Sequence, residues 1–138
     1  MTQDKVVPPV VTPPDTPRGV VEAFLAALEA RDLPGASAFL TPEAWMVFPG
    51  GNKFRTLEAL VDWSKTRYRS VGKTIERIDE MPVDRQGITT IYCYGTLAGE
   101  GLDGRPFSGI RFIDRFEIDD AGQIVDQQVW NDLGEARR

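Results

Sequence analysis

Three strand-like runs joined by two short turns constrain this chain more than any other feature. Ile88 to Ala98 is rich in β-branched and aromatic residues, which favour a pleated, half-buried surface. Asp103-Gly104 signals a hairpin turn, and Phe107 to Ile118 is the second run. Asp120-Ala121-Gly122 turns the chain again before the third run, Ile124 to Asp132. Consecutive strands with short connections form an antiparallel meander. Thr74 to Ile78 is a weaker strand candidate ahead of them.

The preceding half reads mostly as helix. Thr16-Pro17 supplies a capping hydroxyl followed by a proline at the first helical position. Val20, Val21, Phe24, Leu25 and Leu28 follow at helical spacing, and Arg31 sits where a cation suits the helix C-terminus. Asp32 caps a second short helix, with Pro34 near its start and Phe39 and Leu40 near its end. Ala44 to Phe48 reads as a short strand stopped by Pro49-Gly50-Gly51. Thr56 caps a third helix carrying Leu57, Leu60, Val61 and Trp63, with Tyr68 at its end. Helices followed by a meander predict an α+β fold with the helices on one sheet face. Residues 1–16, with Pro8, Pro9, Pro13 and Pro14, read as a proline-rich tail, and 17–138 as a single domain.

Composition excludes several functions. The chain of 138 residues has no histidine and one cysteine, Cys93. Ser-His-Asp and Cys-His nucleophiles, His-ligated zinc and His general bases are thereby removed. Cys93 has no partner for an internal disulfide, which suits a reducing, cytoplasmic setting. No secretory signal pattern is present. Net charge is −5 and no basic patch stands out; the densest basic stretch, Lys65 to Lys73, reads as a helix end. Nucleic-acid binding is not expected. No apolar run approaches the ~18 residues of a membrane span. The acidic residues show no cation-loop spacing, so no metal is expected; no cofactor is expected either.

The order of elements resembles the nuclear-transport-factor-2-like superfamily, and within it the SnoaL-like group. Val20 to Leu40 (VVEAFLAALEARDLPGASAFL) is similar to its opening helices, with Arg31-Asp32-Leu33 at the break. Trp45 to Gly51 (WMVFPGG) is similar to its first strand and turn, and DGRPFSGIRFIDRFEI with GQIVDQQVWND to its closing hairpin. The resemblance covers about residues 17–134. It implies three N-terminal helices packed on a curved antiparallel sheet around a pocket. It also implies a small hydrophobic ligand, and either isomerase, cyclase, dehydratase or lyase chemistry or binding without chemistry. Family site residues transfer poorly. Phe48 stands where the isomerases place a base, and Ile91-Tyr92-Cys93-Tyr94 replaces the Arg-x-Asp of the epoxide hydrolases. Asp132, just after Trp130-Asn131, is the nearest match to the cyclases' carboxylate, offset by one residue.

Candidate chemistry follows from strand alternation. Ile110, Phe112, Phe116 and Ile118 share one face, with Asp114 among them. A carboxylate facing an apolar cavity has its pKa raised toward a range useful for proton transfer; the alternative is structural pairing with a polar neighbour. If Ile118 pairs with Ile124, ideal alternation sets Asp114 opposite Gln128 and Phe112 opposite Trp130. Tyr92 and Tyr94 share a face and are candidate donors to an oxyanion. The expected catalytic set is therefore Asp114, Tyr92, Tyr94 and Asp132. Ligand contacts are expected from Phe24, Trp45, Phe48, Tyr68, Phe112, Gln128 and Trp130. The other sheet face, with Arg111, Ile113 and Arg115, is the expected homodimer surface.

Overall fold

The computed structural model describes residues 15–136. Helix α1 spans Pro17–Glu29, and Thr16 Oγ1 accepts from Gly19 N at 3.0 Å. Its end is sharp: Arg31 adopts φ 61°, and its Nη1 donates to the Leu28 carbonyl at 3.0 Å. That satisfies one of the carbonyls a helix leaves open at its C-terminus. Asp32 caps the short α2, Leu33–Ser37, accepting from Gly35 N at 3.0 Å. Strand β1 (Leu40–Phe48) and the short β2 (Asn52–Phe54) flank the Pro49–Gly51 turn. Thr56 Oγ1 accepts from Ala59 N at 3.2 Å and starts α3, Leu57–Ser64. Three long strands follow: β3 Tyr68–Glu80, β4 Thr89–Gly101 and β5 Pro106–Ile118. β6 (Ile124–Asn131) and a short α4 (Leu133–Ala136) complete the described chain.

All six strands form one curved sheet in the order β2-β1-β6-β5-β4-β3. Every pairing is antiparallel except β1 with β6, which run parallel. α1 lays Val20, Val21, Phe24 and Leu25 onto the sheet. The core gathers there, and Phe24 meets Phe116 edge-on with ring centroids 5.9 Å apart.

Several expectations change. β1 starts at Leu40, so Leu40 and its neighbours extend a strand rather than finish α2. The basic stretch from Lys65 and the weak 74–78 run belong largely to one 13-residue edge strand, β3, with Tyr68 at its start. Its irregular burial, with register shifts between Tyr68 and Ser70 and between Ile75 and Arg77, hid the period-two signal. Gly95 of β4 pairs with Ile75 beside the second bulge, and a Cβ on Gly95 would collide with the Thr74 carbonyl. Gly122, at φ 81°, makes the last turn. Of the expected tail 1–16, only Asp15 and Thr16 lie within the described residues.

Candidate functional site

The helices and the concave sheet face enclose a cavity of about 350 Å³. Leu25, Ala26 and Leu28 of α1, Leu60 and Val61 of α3, Phe48 of β1, and Val71 and Ile75 of β3 supply its apolar lining. A smaller space of about 50 Å³ adjoins it, sharing Phe48, Tyr68, Val71 and Lys73 and adding Phe112, Leu97 and Val129. Trp63 closes that end by packing against Phe48 and Phe54, with centroids 5.9 and 5.2 Å away.

The polar groups on this wall are few. β5 alternates as expected, burying Ile110, Phe112, Asp114, Phe116 and Ile118. Asp114 is 0% exposed, and its Oδ2 is ion-paired with Lys73 Nζ, which reaches over β4 from β3. The Lys73 ammonium also lies 4.9 Å from the Phe112 ring centroid. Lys73 borders both cavities, whereas Asp114 sits behind it. The second oxygen, Oδ1, is buried without a partner. Burial pushes the Asp114 carboxyl above its ordinary value, and Lys73 opposes that only in part. Asp114 is thus a buried carboxylate paired with a polar neighbour, and that neighbour comes from the stretch expected to end a helix.

β6 is where alternation slips. Ile118 does pair with Ile124, but Glu117 already pairs with Asp126, so Val125 is an extra residue, a bulge. One inserted residue exchanges the faces of everything after it. Asp114 therefore pairs with Val129 and Phe112 with Asn131, while Gln128 and Trp130 move to the outer face. Gln128 Nε2 donates to Asp126 there, and Trp130 is 49% exposed. Gln127 takes the inner position instead: it is 0% exposed, borders the large cavity, and has no partner for either amide atom. No sequence signal marked that bulge.

Other expected site residues also lie away from the pocket. Tyr92 and Tyr94 alternate with the buried Ile91 and Cys93 and so face outward. Tyr94 donates to Asp79, and that bond together with Arg77 lowers the Asp79 carboxyl. Asp132 accepts from Arg111 Nε on the same outer side. Trp45 lies under Arg55, 4.0 Å from ring centroid to guanidinium, on the face of β1 opposite Ala44 and Met46. Phe24 is core beneath the pocket rather than lining. Phe48, Tyr68 and Phe112 do border the cavities. Cys93 is buried beside Asp114, and burial, with that neighbouring charge, pushes its thiol up to about 11. Among the described residues no cluster of acidic or cysteine side chains could hold a metal. No described helix is long and apolar enough to cross a membrane.

A curved, mostly antiparallel sheet wrapped with helices around an apolar cavity is the fold of the nuclear-transport-factor-2-like proteins. A structure of a protein of that kind from Burkholderia pseudomallei, of unknown function, superposes with a TM-score of 0.74 at 19% identity. The match covers 87% of this chain and 93% of that one. TerC, co-crystallised with polyporic acid, superposes with a TM-score of 0.74 at 16% identity over 88% of this chain and 96% of its own. A candidate polyketide cyclase from Xanthomonas campestris pv. campestris gives 0.62 at 16% identity over 87% and 93%. At such identities these likenesses show the fold alone. The sequence pattern of the SnoaL-like domain matches residues 21–127, and the chain belongs to that family. No curated protein matches it.

Proposed function

We propose that this protein is a cofactor-independent isomerase, cyclase, dehydratase or lyase acting on a small hydrophobic, aromatic or polycyclic molecule. One observation carries the reading: a fully buried carboxylate, Asp114, is held by Lys73 on the wall of an otherwise largely apolar cavity. Lys73 touches the substrate, and its ammonium stabilises a carbonyl oxygen as negative charge develops there. Asp114 positions that ammonium from behind the cavity wall, and burial holds its carboxyl above the ordinary value. The TerC complex with polyporic acid and the candidate cyclase support a substrate of this kind. Tyr92, Tyr94 and Asp132 have no part in this version, because they stand on the other face.

A second reading, a pocket that binds without chemistry, is favoured by one fact: Asp114 reaches the cavity only through Lys73. A thermal-shift screen of phenolic, terpenoid and polyketide-like compounds, with mass spectrometry of the hits, separates the two. The enzyme reading expects conversion by the wild type and at least a ~100-fold loss in Asp114→Asn and Lys73→Met. Binding with no conversion by any variant overturns it in favour of the second reading.

The homodimer expectation is supported by the outer face, where Trp130 is half exposed near Ile113, its β5 pairing partner. A monomer by light scattering at working concentration overturns it. A cytoplasmic setting is supported by the unpaired, buried Cys93.

A further inference from the structure

The reading above leaves Gln127 unused. Its side chain is 0% exposed, and neither Oε1 nor Nε2 has a hydrogen-bond partner. Native interiors rarely leave both halves of an amide unpaired, and each such case calls for an explanation. Apart from Tyr68, the other polar groups on the lining are already engaged or sit at the rim. Ser64, the other buried polar residue on the lining, donates its hydroxyl to the Val61 carbonyl at 2.7 Å. Glu22, Glu29 and Arg31 are exposed at the rim. Gln127 borders the cavity, and although neither amide atom is exposed to it in this conformation, a turn of the side chain would present both to a molecule seated there.

A primary amide offers one acceptor and two donors, an acceptor and a donor side by side. A carbonyl oxygen alone would satisfy Nε2 and leave Oε1 bare. An ionised carboxylate has no donor for Oε1. A cis H–N–C=O edge satisfies both atoms at once through two parallel hydrogen bonds. We propose that Gln127 reads such an edge, and that the pocket therefore prefers neutral, apolar ring molecules carrying a lactam or cis-amide. The inference rests on the pocket reading above and narrows its ligand class.

The test compares three probes of similar size and shape: naphthalene with no polar edge, quinoline with an acceptor only, and 2-quinolone with the full edge. Dissociation constants are measured by calorimetry on the wild type, Gln127→Met and Gln127→Leu. A site built to pair a polar edge discriminates strongly against analogues that lack it. Wild type is expected to bind 2-quinolone about tenfold or more tighter than the other two. Either substitution should bring the three probes within about twofold of one another while naphthalene binding holds or improves. Should both variants fail to fold, the wild-type ranking alone decides. Equal binding of the three probes by wild type overturns the inference, as does a 2-quinolone preference that survives in the variants. If naphthalene binds and 2-quinolone gains nothing, only the Gln127 assignment falls. If no probe binds and the compound screen yields no hits, the pocket reading falls with it.

Discussion

The two faces of the central sheet carry similar residue types and put them to opposite use. The outer face holds Arg111 with Asp132, Arg115 with Asp126 at 3.3 Å, and Arg77 with Asp79 at 2.9 Å. Solvent reaches the Arg111–Asp132 and Arg77–Asp79 pairs, and their attraction is screened to little net stability, whereas Arg115–Asp126 is only partly exposed. Among the described residues the inner face holds a single ion pair, Lys73–Asp114, whose carboxylate has no access to water. There a lost partner is not replaced by solvent, and the penalty of an isolated buried charge appears in full. Charge on the outer face sits in weak, mostly solvated pairs. On the inner face it is a constraint, and it is kept where an apolar pair would serve stability as well or better.

The contrast can be broken most forcefully at Lys73. Lys73→Met strands the Asp114 charge and should cost about 3 kcal/mol in denaturant melts at pH 7. The loss should shrink as pH falls and Asp114 takes up a proton; a loss that does not change with pH would mean that the pair is not buried in solution.

Next comes the pH dependence of Asp114 itself. Its carboxyl is raised in the folded state, so the folded protein holds that proton more tightly than the unfolded chain. The group's contribution is full below the ordinary carboxylate pKa and is lost as pH rises through the raised value. Each unit of elevation is worth about 1.4 kcal/mol. Stability of wild type relative to Asp114→Asn should therefore fall as pH rises from the ordinary carboxylate range through the raised value. A flat difference would show no elevation.

A double-mutant cycle on Arg111 and Asp132 should give a smaller coupling, below about 1 kcal/mol and fading with salt. A coupling near 3 kcal/mol that resists salt would show that the outer face is covered in solution, as in a dimer. The smallest effect is expected from Tyr94→Phe. It should leave stability almost unchanged, yet raise the Asp79 pKa, because the Tyr94 hydroxyl is the chief cause of its depression. NMR titration reads that shift directly; an unmoved Asp79 would deny the bond.

Much of the scaffold was legible because its signals are local. Thr16, Asp32 and Thr56 each cap the helix expected of them, since a hydroxyl or carboxylate can satisfy the open amides of the next turn. The long strands β4 and β5 were legible from β-branched and aromatic content, and Asp114 from strict alternation along β5. β3 was not, because an edge strand with two bulges and many charged residues lacks a regular buried row. Gln127 was not either, because a single bulge at Val125 set the parity of the whole of β6.

By itself, the sequence determined the three capped helices, the long strands β4 and β5 and their order, the absence of histidine chemistry and the presence of one carboxylate in an apolar row. Those depend on neighbours a few residues away, through capping and period. Tertiary structure alone decided that Lys73, 41 residues from Asp114, would be its partner, and that Gln127 rather than Gln128 would meet the cavity. Both depend on how strands slide past one another. Register is fixed by bulges and by the summed packing of an entire sheet, which no local pattern encodes.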